Sequence, residues 1–342
     1  MSYRFSASAP LDGLDESSHE YRTHGNLDER LDGKQAGRLD GRLAERLALS
    51  FEVIPPRHDA KQGRADQEKI VELLDTLESY DPDYVAVTSS RRSGWLEGTA
   101  QFIAEIAATT SMRPLAHLAC TAGPVDEVRN WINILVDSGV RGFLALRGDL
   151  EPGETALPAG YLQHADALVR LIRQMESAQA TRFGAGRLAV GVACYPNGHA
   201  ESRNQYEDLD VLLNKQRLGS DLAISQLFFR AEDFLRFSQR ASLAGVNMPL
   251  VPGVMPVTSA KRLRRMSELS SLAVPQDLVG KLEAAPNAQA EYDIGLEWTV
   301  TLINQLIRGG VQGIHLYTHN NPQVTRDVMD NIDVPSLAMA RS

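Results

Sequence analysis

Cysteine is nearly missing from this chain of 342 residues, with only Cys120 and Cys194 present. Two thiols cannot build a disulfide framework, and neither stands in a CxxC pair for metal or redox work. Both read as small apolar core residues in a reducing compartment. Long hydrophobic runs are missing as well, since none approaches the ~18 apolar residues of a membrane span. The opening stretch "MSYRFSASAPLDGLDESSHE" lacks the apolar centre of a signal peptide, so a cytoplasmic protein with no membrane partner is expected. Nor is there an excess of basic charge. Lysine and arginine number 35 against 44 aspartates and glutamates, a net charge of -9, which argues against a nucleic-acid or anionic-membrane partner. The glycine fingerprints GxGxxG and GxxxxGK followed by Ser or Thr do not occur after any candidate strand, which removes the usual signs of a Rossmann unit and of a P-loop.

What is present is a composition of 43% hydrophobic and 23% charged residues, ordinary for a soluble enzyme with a full core. Residues 1–45 are polar and carry a short echo, "LDGLDE", "LDERLDG", "RLDGRLAERL", too rich in glycine for a firm helix; a loosely held extension is expected. From residue 46 to 342 short apolar strands alternate with amphipathic helices. The strand candidates are "LALSFEVI", "DYVAVT", "PLAHLAC", "RGFLAL", "LAVGVAC", "LAISQLFF", "MPLVPG" and "GIHLY". In the helix after the first of them, Ile70, Leu73, Leu74 and Leu77 recur at helical spacing. The junctions "SGVRGF", "AGVNMP" and "GGVQGI" each set a glycine where a helix would end in a left-handed cap. Eight βα units predict an α/β fold, a (β/α)8 TIM barrel, with the doubly wound sheet second because its fingerprints are missing.

A barrel keeps its chemistry at the C-terminal ends of its strands, and there the polar residues gather. Glu52 lies inside the apolar run "SFEVIPPR", where a lone carboxylate costs several kcal/mol unless it is paired or protonated. Thr88 ends the second strand, His117 lies in the third, and "ALRGDL" carries Arg147, Gly148 and Asp149 past the fourth. Tyr195 and His199 follow the fifth in "YPNGH", Gln226 falls in "ISQLFF", and "YTHNN" closes the eighth. Each has a simpler reading: Thr88 a helix cap, His117 a satisfied core histidine, Arg147 and Asp149 a structural pair at a turn. No carboxylate or cysteine stands at ligand spacing near His117 or His199, so no metal site is expected. Together the strand ends point to one site.

The segments "SFEVIPPR", "HLAC", "ALRGDL", "YPNGH" and "ISQLFF" followed by "VPGVMPV" resemble, in order and spacing, the motifs of bacterial methylenetetrahydrofolate reductases, which are FAD-containing (β/α)8 barrels. The likeness covers residues 48 to about 332. It implies that NAD(P)H and tetrahydrofolate derivatives are the small-molecule substrates, that FAD is the cofactor, and that the protein is a homo-oligomer. Glu52 matches the general acid that protonates the folate so that its five-membered ring opens, with Phe51, Val53 and Ile54 expected to desolvate it and Pro55 and Pro56 to fix its exit. Asp149 matches the aspartate between redox ring and pterin, and Gln226 the amide that binds the pterin. Thr88, His117, Arg147, Gly148, Asp149, Ala165, Tyr195, His199, Asp208 and Lys215 stand where the family contacts FAD. Arg262 and Met266 fall at the substrate mouth.

The departures from the pattern are Ser89 for a tyrosine, Val211 for an asparagine and Asn214 for an arginine near the cofactor, and Arg262, Met266 and Asn321 for a glutamine, a phenylalanine and an arginine near the substrate. Loss of a phosphate-facing arginine removes a contact worth ~1.5–3 kcal/mol, so weak retention of FAD is expected. Two other readings stand beside the flavoenzyme: direct hydride transfer from NAD(P)H without flavin, and a folate-binding or methyl-carrying protein without redox chemistry. The retention of both Glu52 and Asp149 speaks against the last.

Overall fold

The computed structural model describes residues 47–57, 63–89, 95–150, 153–184, 186–270 and 272–333; the polar extension expected over 1–45 lies outside them. Nine strands form one sheet: β1 (Ala48–Val53), β2 (Tyr84–Val87), β3 (Pro114–Ala119), β4 (Gly142–Leu146), β5 (Ala189–Cys194), β6 (Leu222–Ser225), β7 (Leu250–Val251), β8 (Gly253–Val254) and β9 (Gly313–Tyr317). The helices are α1 (Gly63–Glu78), α2 (Trp95–Thr109), α3 (Val125–Asp137), α4 (Ala165–Ala178), α5 (Gln205–Arg217), α6 (Ala231–Leu243), α7 (Ala260–Ser270), α8 (Gln276–Glu283), α9 (Ala288–Arg308) and α10 (Pro322–Met329).

Every strand pairing is parallel, in the order β7-β6-β5-β4-β3-β2-β1-β9-β8. β7 and β8 are the two halves of a single stave interrupted at Pro252. The first half pairs with β6 through Ala223 and Leu250, the second with β9 through Gly253 and His315, and so the sheet closes into the expected barrel. Proline has no N–H for the ladder, which is why one predicted strand becomes two short ones. Its carbonyl still accepts from the His315 N–H at 2.9 Å. Gly253 beside it has no room for a side chain, because a Cβ there would stand 2.4 Å from the Ser225 carbonyl oxygen and 2.6 Å from the Tyr317 hydroxyl.

Strand alternation divides the core. Outward residues such as Phe51, Val53, Val85, Val87, Phe143 and Val190 meet the helices, including the buried Ile70, Leu73, Leu74 and Leu77 of α1. Inward residues Leu115, Leu144, Leu222, Ile224 and Val251 pack with Tyr84 and Ala86 in the interior of the barrel. The three glycine junctions end their helices as expected: Gly139, Gly245 and Gly310 have φ of 106°, 97° and 83°. At each, the next residue's N–H (Val140, Val246, Val311) reaches back to a carbonyl in the preceding turn (Leu135, Ala241, Leu306) at 2.9–3.3 Å, and the chain enters the next stave with its helix carbonyls satisfied.

Candidate active site at the C-terminal mouth

The alternation that sends Phe51 and Val53 outward turns Ser50 and Glu52 inward. Glu52 therefore owes its desolvation to the barrel interior and not to Phe51 and Val53, two of the three neighbours expected to supply it. Burial pushes its carboxyl up to about 7. His117 of β3 faces it, with Nε2 3.8 Å from the nearer carboxyl oxygen, and burial pushes the imidazole down to about 4. At that separation there is no hydrogen bond, and desolvation drives each group toward its uncharged form. The pair is a carboxylic acid beside a neutral imidazole rather than an ion pair.

The backbone around the acid is held from β9. The Thr318 hydroxyl donates to the Glu52 carbonyl at 2.6 Å. Asn320 imitates a strand: it accepts from the Ile54 N–H at 2.9 Å and donates to the Ile54 carbonyl at 2.6 Å. The prolines were expected to fix this exit, but the hydrogen bonds come from "YTHNN". One layer deeper, Ser50 lies 2.9 Å from His315 Nδ1, Tyr84 stacks on that imidazole, and burial with the neighbouring His117 pushes His315 down to about 3. Tyr317 packs edge-on against the same ring and donates to the Ser225 carbonyl at 2.8 Å.

Other predicted residues fall around the same mouth. Thr88 follows β2 with its hydroxyl oxygen buried and, among the described residues, without a hydrogen-bond partner, so it caps none of the described helices as its simpler reading proposed, and His117 Nε2 is likewise unpartnered among them. Gln226 lies one residue past the end of β6 and is exposed, not enclosed among apolar neighbours; its amide oxygen accepts from the Leu227 N–H. Asp149 is exposed on the loop after β4. Gly148 before it packs so closely that a Cβ would come within 2.2 Å of the Thr121 hydroxyl. Arg262 and Met266 are half-buried on α7.

Beside the mouth, between the ends of β4 and β5 and helices α4 and α5, is a cavity of about 390 Å³, a volume in the range of small-molecule sites. It is lined by Arg147, Ala165, Tyr195, His199, Asp208 and Lys215, six of the residues expected at the cofactor. Lys215 is buried on α5 with the Ala193 carbonyl as its hydrogen-bond acceptor at 3.2 Å, and burial holds its ammonium below the usual range. Arg147 is engaged by both oxygens of Glu201, at 2.5 and 2.8 Å. Asp208 accepts from the His199 N–H and the Ser202 hydroxyl, and His199 meets Tyr195 edge to face. Asn214 donates to Asp166 at 3.0 Å across the cleft, and Val211 lines it. Sequence reasoning had not singled out Glu201 or Asp166, whose signal lay only in their closeness to "YPNGH" and Ala165.

A dinucleotide needs a cation for its diphosphate and hydrogen-bond partners for its ring; the buried Lys215 and the α4 N-terminus without a side-chain cap suit the first, and the Thr88 hydroxyl, unpartnered among the described residues and outside the cavity lining, suits the second. Among the described residues no group of three or more His, Cys, Asp or Glu could hold a metal ion, and no helix is long and apolar enough to cross a membrane.

A closed (β/α)8 barrel with a protonatable carboxyl in its mouth and a nucleotide-sized cleft alongside defines a barrel enzyme. The profile of the methylenetetrahydrofolate reductases matches residues 38–333, and the chain belongs to that family. It is 29% identical over 290 residues to the 5,10-methylenetetrahydrofolate reductase of Pectobacterium carotovorum, covering 84% of this chain and 91% of that one. The Escherichia coli enzyme of the same name is 28% identical over 290 residues, at 84% and 92% coverage. Methylenetetrahydrofolate reductase (NADH) 1 of Arabidopsis thaliana is 26% identical over 300 residues, 84% of this chain but 48% of the plant protein. Among solved structures, a Clostridium thermocellum protein that binds two copies of 5-methyl-5,6,7,8-tetrahydrofolic acid shares the fold, with a TM-score of 0.57 at 13% identity over 85% of this chain and 96% of that one. These relatives support methylenetetrahydrofolate reductase as the enzyme class.

Proposed function

We propose that this protein interconverts 5,10-methylenetetrahydrofolate and 5-methyltetrahydrofolate, with NAD(P)H as the redox partner and FAD as the cofactor. The observation that carries the reading is Glu52, a carboxyl kept protonated near neutrality by burial in the barrel mouth. Opening the folate's five-membered ring requires a proton on its aminobenzoate nitrogen, and an acid with a pKa of about 7 holds that proton while still releasing it. The carbon left as a cationic iminium then accepts hydride. Neutral His117 adds no charge that would repel this cation. Gln226 offers the pterin edge a donor and an acceptor, and Asp149 offers the pterin a carboxylate. FAD, when bound, supplies the carrier between nicotinamide and folate. Lys215, Arg147, His199 and Asp208 would hold its nucleotide part, and Thr88 its ring. NADH is the donor favoured by the plant relative's name.

One observation weighs against a firmly held FAD in this cavity and keeps hydride transfer without flavin as a second reading. The cavity is lined by four carboxylates, Asp166, Glu201, Glu207 and Asp208, against two cations, Arg147 and Lys215, a poor balance for a diphosphate. An absorbance scan of the native protein, with and without added FAD, separates the two readings. For the acid, purified Glu52→Gln should still oxidise NADH with a quinone acceptor while its folate half-reaction is abolished. Equal loss of both halves would refute the acid role.

A further inference from the structure

Arg147 and Lys215 are the only arginine and lysine lining the cavity beside the mouth, and they are not equally available. Among the described residues Lys215 has the Ala193 carbonyl as its one hydrogen-bond acceptor, at 3.2 Å, and no carboxylate within ion-pair distance. It is left to meet an incoming anion. Arg147 already has one. Its Nη1 and Nη2 donate to the two oxygens of Glu201 at 2.5 and 2.8 Å, and its Nε turns to the Gly148 carbonyl at 3.4 Å. Two parallel N–H bonds to one acid group are also the geometry in which a guanidinium takes a phosphate.

Glu201 is carried to that position by the turn "YPNGHAES" after β5. Within it the Glu201 N–H donates to His199 Nδ1 at 3.1 Å, while the His199 N–H and the Ser202 hydroxyl both donate to Asp208 on α5. The backbone is thereby anchored on the cavity wall, and the side chain alone spans to the loop after β4. That side chain is 57% exposed, against 25% for Arg147, so its carboxylate can swing into water without a desolvated charge being left behind. The hydrogen bonds from Arg147 hold Glu201 below the usual carboxylate range, which keeps it charged at neutral pH. The other carboxylates of the cavity have separate partners. Asp166 accepts from Asn214, Asp208 from His199 and Ser202, and Glu207 from the Arg203 N–H.

We infer that Glu201 is a built-in competitor for the cofactor, a specificity-determining residue that fills the anion position of Arg147, so that the diphosphate of FAD gains that guanidinium only by displacing it. The inference rests on the FAD reading above and deepens it, since it gives weak retention of FAD a cause within the cavity wall. A carboxylate tethered beside the guanidinium acts at a high effective concentration, whereas the cofactor arrives from dilute solution. A flavin without phosphates takes no part in this exchange.

The test is equilibrium dialysis of FAD, and of riboflavin, which lacks the diphosphate, against the full-length chain freed of bound flavin. Glu201→Gln should bind FAD roughly fivefold more tightly than wild type, and riboflavin within about twofold of it. In an Arg147→Gln background the same change should leave FAD affinity within about twofold, because no guanidinium is then released. Unchanged or weaker binding of FAD by Glu201→Gln overturns the inference, since the pair then only positions Arg147. A gain shared by riboflavin, or an equal gain without Arg147, overturns it as well, the latter being plain charge repulsion. Should neither wild type nor Glu201→Gln bind FAD, the flavin reading falls, and the same cycle is read with ADP, a diphosphate without a flavin. A roughly fivefold gain for ADP that requires Arg147 then supports the competitor, and no such gain, or no binding of ADP by any variant, overturns it.

Discussion

Glu52 and His117, 3.8 Å apart, set the pH behaviour of the site between them. The folate half-reaction requires the carboxylic acid, so its rate should be flat at low pH and fall about tenfold per unit above about 7, read by stopped flow at saturating folate. The neutral imidazole of His117, 3.8 Å away, can also turn an N–H toward the carboxylate left behind. Replacing it by leucine should move the inflection upward, whereas an inflection that stays in place would show that His117 has no part in Glu52's ionisation. Glu52 was legible in the sequence because an acid in an apolar run is conspicuous. The source of its desolvation was not, because strand alternation sends Phe51 and Val53 to the opposite face of the sheet. Arg262 and His319 illustrate the other limit. They are 57 positions apart, and nothing in either local pattern shows that His319 lies in the field of Arg262 or that its Nε2 is buried without a partner among the described residues.

At the scale of elements, the exit of β1 depends on the loop after β9. Asn320→Ala removes two hydrogen bonds to Ile54, one donated and one accepted, and leaves both backbone groups of a half-buried residue unpaired. A loss of about 1–3 kcal/mol in stability is expected from urea titration, together with a slower folate half-reaction as Glu52 loses its fixed position. Wild-type stability in this variant would mean that the prolines hold the exit after all. The eight staves were readable from short β-prone runs and their glycine-capped helices, since those signals are local. Two features of the same elements were not. Pro252 breaks the seventh stave because a closed barrel asks it to pair on both sides, a demand that exists only once β6 and β9 flank it. Gln226 reads as part of an apolar run, yet β6 ends at Ser225 and leaves the amide exposed at the mouth, where the pterin reading needs it.

Across the whole molecule, the barrel interior holds ionisable groups whose burial acts on stability in opposite directions. The unfolded chain takes up protons on His117 and His315 below about 6.5, while in the folded barrel the same imidazoles resist protonation until about 4 and about 3. Stability from these two groups is therefore full above 6.5 and is lost as pH falls, by roughly 2 kcal/mol for each at pH 5. Glu52 works the other way. Its folded carboxyl holds a proton up to about 7 against 4.5 when unfolded, so its contribution is full below 4.5 and is lost as pH rises through 7. Between pH 7 and 5 it returns about as much as one histidine removes, and His319, also lowered to about 4, adds to the loss. Wild type should accordingly be less stable at pH 5 than at pH 7 by a few kcal/mol in urea titrations. Glu52→Gln separates the contributions, because it removes the buried acid without touching the imidazoles. That variant should exceed wild type at pH 7 by up to ~3 kcal/mol and lose more on acidification, since nothing then offsets the histidines. A wild type whose stability rises toward pH 5, or a variant that follows it in parallel, would mean that water reaches the interior and that Glu52 is an ordinary carboxylate, unable to keep the proton its chemistry requires.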